Sequence, residues 1–400
     1  MKSGHRLRHL IAAALVDSFG LSLGWTVFSL QVVRTHGLAG LGMCTAAMLV
    51  GVALSAPATA RLSWRLDGRA LLRVTAATEA VLRVGTFALL LIGAPLLAVA
   101  VAVAATNVVA WTGYAGMRAE VAAADPRGAA MTWYMVAVAA IEAAGIALAA
   151  LLPTGPRGTV SGALLVGIIV FYAGCLLPTW HIARDARVSR QRSQRAAARR
   201  RPIALLAGGA AVMLLGSGPT LLAVGLAAEL HGTRWVAGSA LAFALGSLLA
   251  PMSVARFERQ ALPPSFTWPA LGVGMVAGWI IAPWHPAGLL AAQFLAGLCM
   301  SALEGDMDAR VAAVGTDRGV TSGLASAAAL RAFGSAAAVG LAPRAMAGMG
   351  VGWVSAALAT ALDATLIVTL AWSLRHAKDS AHAGDEAPIR THGWRLQRIP

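Results

Sequence analysis

Apolar stretches of about 20 residues recur along the whole chain, and short polar segments separate them. A helix of that length crosses the roughly 30 Å hydrocarbon core of a bilayer. Glycine and proline mark many of the joins, for example at Gly93–Pro95 and Pro153–Pro156. The pattern predicts an all-α membrane protein with twelve transmembrane helices. We place the spans at residues 10–33, 38–60, 70–92, 95–117, 129–152, 160–182, 203–228, 235–255, 267–284, 287–307, 320–342 and 350–374.

The positions of the basic residues support this count and give an orientation. Cytoplasmic loops of membrane proteins carry an excess of lysine and arginine. With the N-terminus placed inside, 26 lysines and arginines fall in inner segments, four fall in outer segments and two fall within spans. One missed or extra helix would scramble this asymmetry. We therefore predict a multi-pass protein of the cell membrane with both termini in the cytoplasm.

An arginine-rich segment near the midpoint divides the spans six and six. The segment reads ARDARVSRQRSQRAAARRR, and its charge suits a tether that lies on anionic lipid. A-x-V-A-A and a following Arg-Gly occur after span 4 and again after span 10, about 190 residues later. Two similar six-helix lobes are typical of a secondary transporter. The predicted parts are a first lobe at 1–182, a basic linker at 183–202, a second lobe at 203–375 and a polar cytoplasmic tail at 376–400.

Composition excludes several classes of function. Only 12% of the residues are charged, about half the share found in soluble proteins, so most of the chain lies in lipid. The net charge of +15 is spread between the apolar stretches, and we therefore expect no nucleic-acid partner. The three cysteines lie singly within apolar stretches, which predicts no disulfide framework.

The sequence lacks the residue patterns expected for ATP hydrolysis or for metal chemistry. The phosphate-binding GxxxxGK[ST] motif needs a lysine, and neither Lys2 nor Lys378 lies in that context. The nine histidines lie in the tails or at helix ends, so we expect no cofactor and no metal site. The acid cluster EGDMD at 304–308 has no counterpart in the other half, which argues against a metal-dependent enzyme. We predict that the chain is not an enzyme, and a membrane-embedded enzyme or sensor remains the alternative from another class.

The segment between spans 2 and 3, ARLSWRLDGR, resembles the Gly-x-x-x-Asp-Arg-x-Gly-Arg-Arg loop of the major facilitator superfamily. Ala60 stands for the first glycine, Arg65 for the first arginine, Asp67 for the second glycine and Arg69 for the last arginine. Trp64 stands where the family has its aspartate.

Two further stretches carry the resemblance. Residues 118–131 are similar to the link between spans 4 and 5 of actinobacterial drug and metabolite exporters in this superfamily. AIEAAGIALAALLP lies where drug-exporting relatives have a Gly-Pro-rich span 5; Gly145 is retained and the following proline is absent. The resemblance implies a twelve-helix fold of two lobes, alternating access and a protein that works as a monomer.

Charged residues within spans are costly and are therefore candidate functional groups. Asp17 in span 1 resembles the acid with which many exporters of the superfamily exchange a proton for a substrate. The alternative for Asp17 is a local helix cap or a partner for an arginine near the cytoplasmic surface. Glu142 in span 5 and Arg331 in span 11 would flank the cavity in this fold, where the carboxylate could load a proton and the guanidinium could hold its charge or bind an anion. The alternative for this pair is a structural ion pair between the lobes. Glu79 and Arg83 are four residues apart in span 3, and we favour a structural role for them.

Span 4 carries polar and aromatic residues along one helical face, at Asn107, Trp111, Tyr114 and Arg118. Such a face suits a cavity wall that holds an amphipathic or cationic solute. Helix packing with an interfacial tyrosine explains the pattern equally well.

The acid cluster at the inner end of span 10 has two interpretations. Glu304 and Asp308 share a helical face, and Asp306 points elsewhere. A charge network that latches the cytoplasmic side is the first interpretation, and coupling to protons or substrate is the second. The predicted latch residues are Arg65, Arg69, Arg118, Glu304, Asp308 and Arg310.

The sequence thus predicts a secondary transporter that exports a small organic or amphipathic compound in exchange for protons. Its expected partners are a small-molecule substrate, protons and membrane lipid. An importer or a facilitator of a small metabolite is the alternative within transport.

Overall fold

The computed structural model describes residues 3–124, 129–153, 160–188, 203–260, 263–314 and 320–384. Fourteen α-helices account for nearly all of the regular structure in these ranges. They are α1 Ser3–Arg65, α2 Gly68–Leu91, α3 Leu96–Ala124, α4 Ala129–Ala150, α5 Gly162–Gly174, α6 Leu177–Ile182, α7 Ile203–Gly216, α8 Gly218–Leu221, α9 Ala223–His231, α10 Arg234–Arg259, α11 Pro264–Ala277, α12 Pro286–Val314, α13 Val320–Met349 and α14 Val351–Gly384.

All twelve predicted spans coincide with helices. Helix α1 holds spans 1 and 2, which meet at Gly37, where φ is 66° and ψ is −173°. Only glycine adopts such a conformation without strain, because it has no Cβ atom. Span 6 is divided between α5 and α6, and span 7 runs through α7, α8 and α9. Prolines at the starts of α6 and α8 account for these breaks, since proline fits the first turn of a helix but not its interior.

The helices identify a multi-pass membrane protein. By length and apolar composition, seven helical segments of the described chain can each cross a membrane, and the segment Arg6–Arg65 is long enough to contain two spans. Two shorter apolar helices, Ala137–Ala150 and Leu206–Gly216, coincide with spans 5 and 7. The large side chains at the surface of the bundle are mainly apolar, as expected for groups that face lipid.

The bundle has two distinct ends. We call the end that carries Arg65, Arg69, Arg118 and Arg310 the arginine-rich end, and the other the arginine-poor end. Tight turns connect helices at the arginine-poor end, and four of them contain a glycine with positive φ: Gly37, Gly93, Gly232 and Gly350.

One apolar core joins the two halves of the chain at the arginine-poor end. It includes Phe28, Leu41, Leu226, Trp279 and Val339, all buried. At the arginine-rich end the buried apolar residues instead form two separate clusters. One of these clusters contains only residues of the first half, among them Leu10, Leu72 and Val121. The other contains only residues of the second half, among them Leu206, Leu271 and Met307. Among the described residues, the halves therefore share a core at one end only.

Two glycines allow the halves to approach closely at that shared core. A Cβ atom on Gly42 of α1 would lie 2.6 Å from the carbonyl oxygen of Val339 in α13. A Cβ atom on Gly225 of α9 would lie 2.6 Å from the side chain of Leu41. An alanine at position 42 would require the helices to move, because the atom that it meets is backbone, so Gly42 brings the two backbones together. An alanine at position 225 would instead require the Leu41 side chain to shift.

At the arginine-rich end, the first half holds the start of the predicted linker. Glu120 of α3 is fully buried, forms an ion pair with Arg6 and accepts hydrogen bonds from the N–H groups of Arg187 and Val188, with Val188 at 2.8 Å. Gly68 donates its N–H to the carbonyl oxygen of Val188 at 2.9 Å. Most of the linker, residues 189–202, lies outside the described residues, as does the tail beyond Gly384.

Candidate functional site

The Arg83 guanidinium on α2 is a fully buried charge in the interior of the first half. Its side chain is 0% exposed, and it donates a hydrogen bond of 2.8 Å to the Asp17 carboxylate on α1. It also forms an ion pair with Glu79, one turn earlier on the same helix. The pairing of Glu79 and Arg83 that the sequence predicts is therefore part of a larger cluster that includes Asp17.

The break in span 6 provides two more partners for Arg83. Helix α5 ends at Gly174, and the carbonyl of Tyr172, in its last turn, accepts a hydrogen bond of 2.7 Å from Arg83. Carbonyl groups in the last turn of a helix lack partners within the helix, which makes them available to other donors. The guanidinium also lies 4.6 Å from the centre of the Tyr172 ring and 3.0 Å from the Cys175 sulfur.

A small cavity lies beside this cluster. The acids Asp17 and Glu79 and the rings of Tyr114 and Tyr134 line it, and Thr179 contributes a hydroxyl group. Every residue that lines the cavity belongs to the first half of the chain. The arrangement combines fixed negative charge with aromatic walls, which is the chemistry expected around a cation or a transferable proton.

Glu142 on α4 is half-buried and interacts electrostatically with Asp17. It makes no hydrogen bond or ion pair with any residue in the described part of the chain. Asp17 and Glu79 thus pair with the guanidinium of Arg83, and Glu142 adds a third carboxyl group that interacts with Asp17. With all three carboxyl groups ionised, this group of four residues carries a net charge of −2.

The predicted polar and aromatic face of α3 is only partly directed at the cavity. Tyr114 lines the cavity, and its ring lies 5.4 Å from that of Trp111 and 6.2 Å from that of Tyr134. The guanidinium of Arg118 lies 5.7 Å from the centre of the Tyr114 ring. Asn107 instead donates a hydrogen bond of 2.9 Å to the Val103 carbonyl of its own helix and is buried.

The acid cluster 304–308 lies within a helix and not at its end, because α12 extends to Val314 and beyond the predicted boundary at 307. Asp308 accepts hydrogen bonds of 2.6 and 3.4 Å from Arg331 of α13. Glu304 interacts electrostatically with the same guanidinium. Arg331 therefore pairs within the second half, and not with Glu142 across the lobes.

Asp306 occupies the other face of α12, as predicted, and it is almost fully buried. It accepts hydrogen bonds of 2.7 Å from the Trp268 indole of α11 and 2.7 Å from the Arg310 guanidinium. Arg310 thus pairs with Asp306.

The arginines of the loop between spans 2 and 3 lie at the surface. Arg65 and Arg69 are exposed and form no ion pair with the described residues. Asp67 in the same loop accepts a hydrogen bond of 2.8 Å from Ala70 and caps α2.

Sequence reasoning missed three residues of this region: Glu120, Tyr134 and Tyr172. Glu120 follows Arg118 by two residues in an otherwise apolar stretch, and an acid in such a stretch is a usable signal for a buried ion pair. The two tyrosines lie in apolar spans, where nothing in the sequence distinguishes a residue that faces a cavity from one that packs against a helix.

No protein-family model and no curated protein sequence matches this chain. Solved structures do resemble it. The nucleoside transporter NupG has a TM-score of 0.67 at 12% identity, and the match covers 93% of this chain and 99% of that chain. A bacterial homologue of the iron transporter ferroportin, in an inward-facing state, has a TM-score of 0.66 at 15% identity, with 91% and 98% covered.

The xylose transporter XylE from E. coli, in an inward-open conformation, has a TM-score of 0.64 at 14% identity, with 92% of this chain and 94% of that chain covered. At these identities the similarity establishes the fold alone. The chain has the fold of major facilitator transporters, as the sequence predicts. The closer resemblance to actinobacterial exporters stays a prediction.

Proposed function

We propose that this protein is a secondary transporter that exports a small organic or amphipathic compound in exchange for protons. Buried ionisable groups are expensive within a membrane and are usually retained for function. The observation that carries the proposal is the buried Arg83 paired with Asp17 and Glu79, with Glu142 interacting with Asp17, next to a cavity at membrane depth. The similarity in fold to transporters supports it.

Asp17 and Glu142 have different roles in this proposal. Asp17 faces the cavity and its charge is held by Arg83, so a cationic group of the substrate competes with the guanidinium for it. Glu142 has no ion pair with the described residues, and it can therefore gain and release a proton without breaking one. Because the two carboxyl groups interact electrostatically, binding of a proton or a cation at one reduces the attraction for positive charge at the other.

We assign the arginine-rich end to the cytoplasm, with both termini there, on the positive-inside rule. The core shared at the arginine-poor end then closes the outer side, and the separate cores at the other end correspond to a state that faces the cytoplasm. Closure of the inner side would move the exposed Arg65, Arg69 and Arg118 toward Asp308, whose side chain is 44% exposed. These residues, with Glu304 and Arg310, are the proposed latch.

The lobes at 1–182 and 203–375 are the proposed moving bodies, and the linker at 183–202 is proposed to lie on anionic lipid. Helix α14 continues into the predicted tail at 376–400 as far as Gly384. We propose that one chain is sufficient for transport.

The test measures transport in everted vesicles from cells that make the protein. A panel of fluorescent cationic, neutral and anionic amphiphiles is added outside vesicles whose interior is acidic. We expect uptake of one class, loss of uptake with a protonophore, and loss in the variants Asp17→Asn and Glu142→Gln. Asp363→Asn is the matched control, because Asp363 is an exposed acid in α14 and does not line the cavity.

Three results would contradict the proposal. Transport at the wild-type rate by both Asp17→Asn and Glu142→Gln would show that neither carboxyl group couples transport to protons. Accumulation only in right-side-out vesicles would identify an importer. Turnover of a lipid substrate without movement of any solute would identify an enzyme.

A further inference from the structure

The small cavity beside Asp17 is lined by a buried hydroxyl group without a partner. Thr179 of α6 is 6% exposed, and its hydroxyl oxygen makes no hydrogen bond with any described residue. A buried polar group is normally satisfied by a partner from the protein or from a bound molecule. Tyr114 and Tyr134 line the same space, and their hydroxyl groups interact with each other. Thr179 therefore points to an occupant of the cavity.

The charge cluster leaves further oxygen atoms at the same space. Arg83 binds one oxygen of each acid, Oδ1 of Asp17 and Oε1 of Glu79. The second oxygen of Glu79, Oε2, is 4.0 Å from the position of a Cβ atom on Gly113, which lines the cavity. The Thr75 hydroxyl oxygen is 3.0 Å from the same position. It donates its proton to a carbonyl of its own helix, so its lone pairs remain available.

The size of the cavity restricts the occupant to something small. The space open to the centre of a water-sized sphere is about 20 Å³. One water molecule requires about 10–15 Å³ of such space. In the state described here, a single small ion or one to two water molecules therefore fit, and an organic cation does not.

The charge around the cavity favours a monovalent cation. Two carboxylates and one guanidinium give Asp17, Glu79 and Arg83 a net charge of −1 when both acids are ionised. Unbalanced charge is costly within a membrane, and one monovalent cation would neutralise these three groups. Glu142 adds to the negative field but does not line the cavity. Calcium and magnesium usually take about six or more oxygen ligands, which this small space does not offer.

The oxygen atoms also match the chemistry of a hard ion. Carboxylate and hydroxyl oxygens suit hard cations, whereas transition metals favour histidine and cysteine. The positions of the histidines, which argue against a transition metal in the sequence, therefore do not bear on an alkali cation.

We propose that this cavity is a sodium site, with Glu79 Oε2 and the hydroxyl oxygens of Thr75 and Thr179 as ligands and Asp17 as a neighbouring charge. The ion would connect α2 to α6 beside α1. A ligand that binds the folded protein stabilises it. The inference adds an ion to the site of the proposed function, and it rests on that function only for a role in transport, because binding at equilibrium needs no transport.

Radioactive sodium is the probe, added to the purified protein in detergent with choline chloride to keep the ionic strength constant. We expect saturable binding that unlabelled NaCl displaces, with weaker displacement by the larger K⁺ and none by choline. We also expect the Tm to rise with NaCl and to saturate, relative to equal concentrations of choline chloride.

Two substitutions test the site without a change in charge. Thr179→Val removes a hydroxyl ligand at similar volume, and Gly113→Ala places a methyl group in the cavity. Each should weaken sodium binding about tenfold or more and abolish the rise in Tm. Thr26→Val is the matched control, because Thr26 is a buried threonine of α1 that bonds to the Ser22 carbonyl and does not line the cavity.

Two results would overturn the proposal. One is equal sodium affinity in the wild type, Thr179→Val and Gly113→Ala. The other is a wild type with no saturable sodium binding and the same Tm in NaCl and choline chloride, which would leave water as the occupant. Sodium binding by a protein that moves no solute in vesicles would contradict the proposed function and support the site. Transport driven by a pH gradient in a protein that binds no sodium would do the reverse.

Discussion

Arg83 and Asp17 are separated by 66 positions in the sequence, yet the guanidinium of Arg83 donates a 2.8 Å hydrogen bond to the Asp17 carboxylate. The bond connects α2 to α1 across the interior of the first half. It is part of a cluster in which one cation serves two acids, because Glu79 binds the same guanidinium. The cluster therefore ties two helices together in addition to bordering the cavity.

The first prediction concerns the stability that this cluster provides. Arg83→Leu removes the cation that pairs with Glu79, and loss of one partner from a buried ion pair costs about 3–5 kcal/mol. We expect a clear decrease in Tm. Cys44, Cys175 and Cys299 are buried and free, so a dye that fluoresces on reaction with thiols reports unfolding in detergent.

A second substitution separates the lost charge pair from lost packing. Arg83→Leu combined with Glu79→Leu removes the uncompensated carboxylate and should recover part of the Tm, because apolar residues can replace a buried ion pair. Arg344→Leu, at an exposed arginine, should leave Tm unchanged. A wild-type Tm for Arg83→Leu alone would show that the cluster does not stabilise the fold.

The second prediction tests the close approach of the halves at the arginine-poor end. Gly42→Ala places a methyl group 2.6 Å from the backbone oxygen of Val339, so the halves must move apart there. Gly225→Ala should have a smaller effect, because the Leu41 side chain that it meets can shift. We expect a larger population that is open at this end. The measurement is the rate at which a membrane-impermeant thiol reagent labels Ala46→Cys in a protein without other cysteines.

Gly167→Ala is the matched control for this prediction. A Cβ atom on Gly167 meets no atom within 4 Å, so the same change should leave the labelling rate of Ala46→Cys unaltered. Labelling of the Gly42→Ala and Gly225→Ala proteins at the control rate would mean that these glycines do not hold the end closed.

The fold was largely predictable because a bilayer imposes a strong pattern on the sequence. Apolar length predicted positions that all fall on helices, and the glycines between them marked turns such as the one at Gly37. The interruption of span 6 near Cys175 was not predicted, although Pro178 lies at the start of α6, the second part of this span. Hydropathy does not respond to a break in a helix when the residues on both sides of it are apolar.

The site was only partly predictable because charge pairs between spans depend on how the helices rotate and pack. The acids and arginines within the spans were identified correctly as unusual. However, the partner of Asp17 lay in span 3, and Arg331 was found with Asp308 of the neighbouring α12. A pattern along one helix shows which residues share a face, and it does not show which face meets another helix.

The third prediction concerns the buried Glu120 and the start of the linker. Glu120→Gln removes the charge that pairs with Arg6 and weakens the acceptor for the N–H groups of Arg187 and Val188. We expect trypsin to cut after Arg187 several-fold faster, since cleavage requires the segment to detach. Intact-mass measurement identifies the fragment that ends at Arg187.

Asp185→Asn is the control for this cleavage experiment. Asp185 is exposed and lies in the same segment, so its charge is lost without an effect on the contacts of Glu120. If Glu120→Gln and Asp185→Asn are cut after Arg187 at the same rate as the wild type, the ion pair does not anchor the linker.

The fourth prediction tests whether the aromatic face of α3 contributes to substrate binding. The Trp111 side chain is 41% exposed and its ring meets that of Tyr114 edge to face, so it extends the aromatic wall beyond the cavity. Trp111→Ala should raise the KM for the transported compound about three- to tenfold, in line with the roughly 0.5–1.5 kcal/mol of an aromatic contact. Trp111→Phe should recover most of the affinity, because it keeps a ring at this position.

Trp284→Ala is the control, since Trp284 is 78% exposed and lies at the arginine-poor end. Equal KM values for Trp111→Ala and Trp284→Ala would place the substrate away from α3 and leave Trp111 as a residue of helix packing.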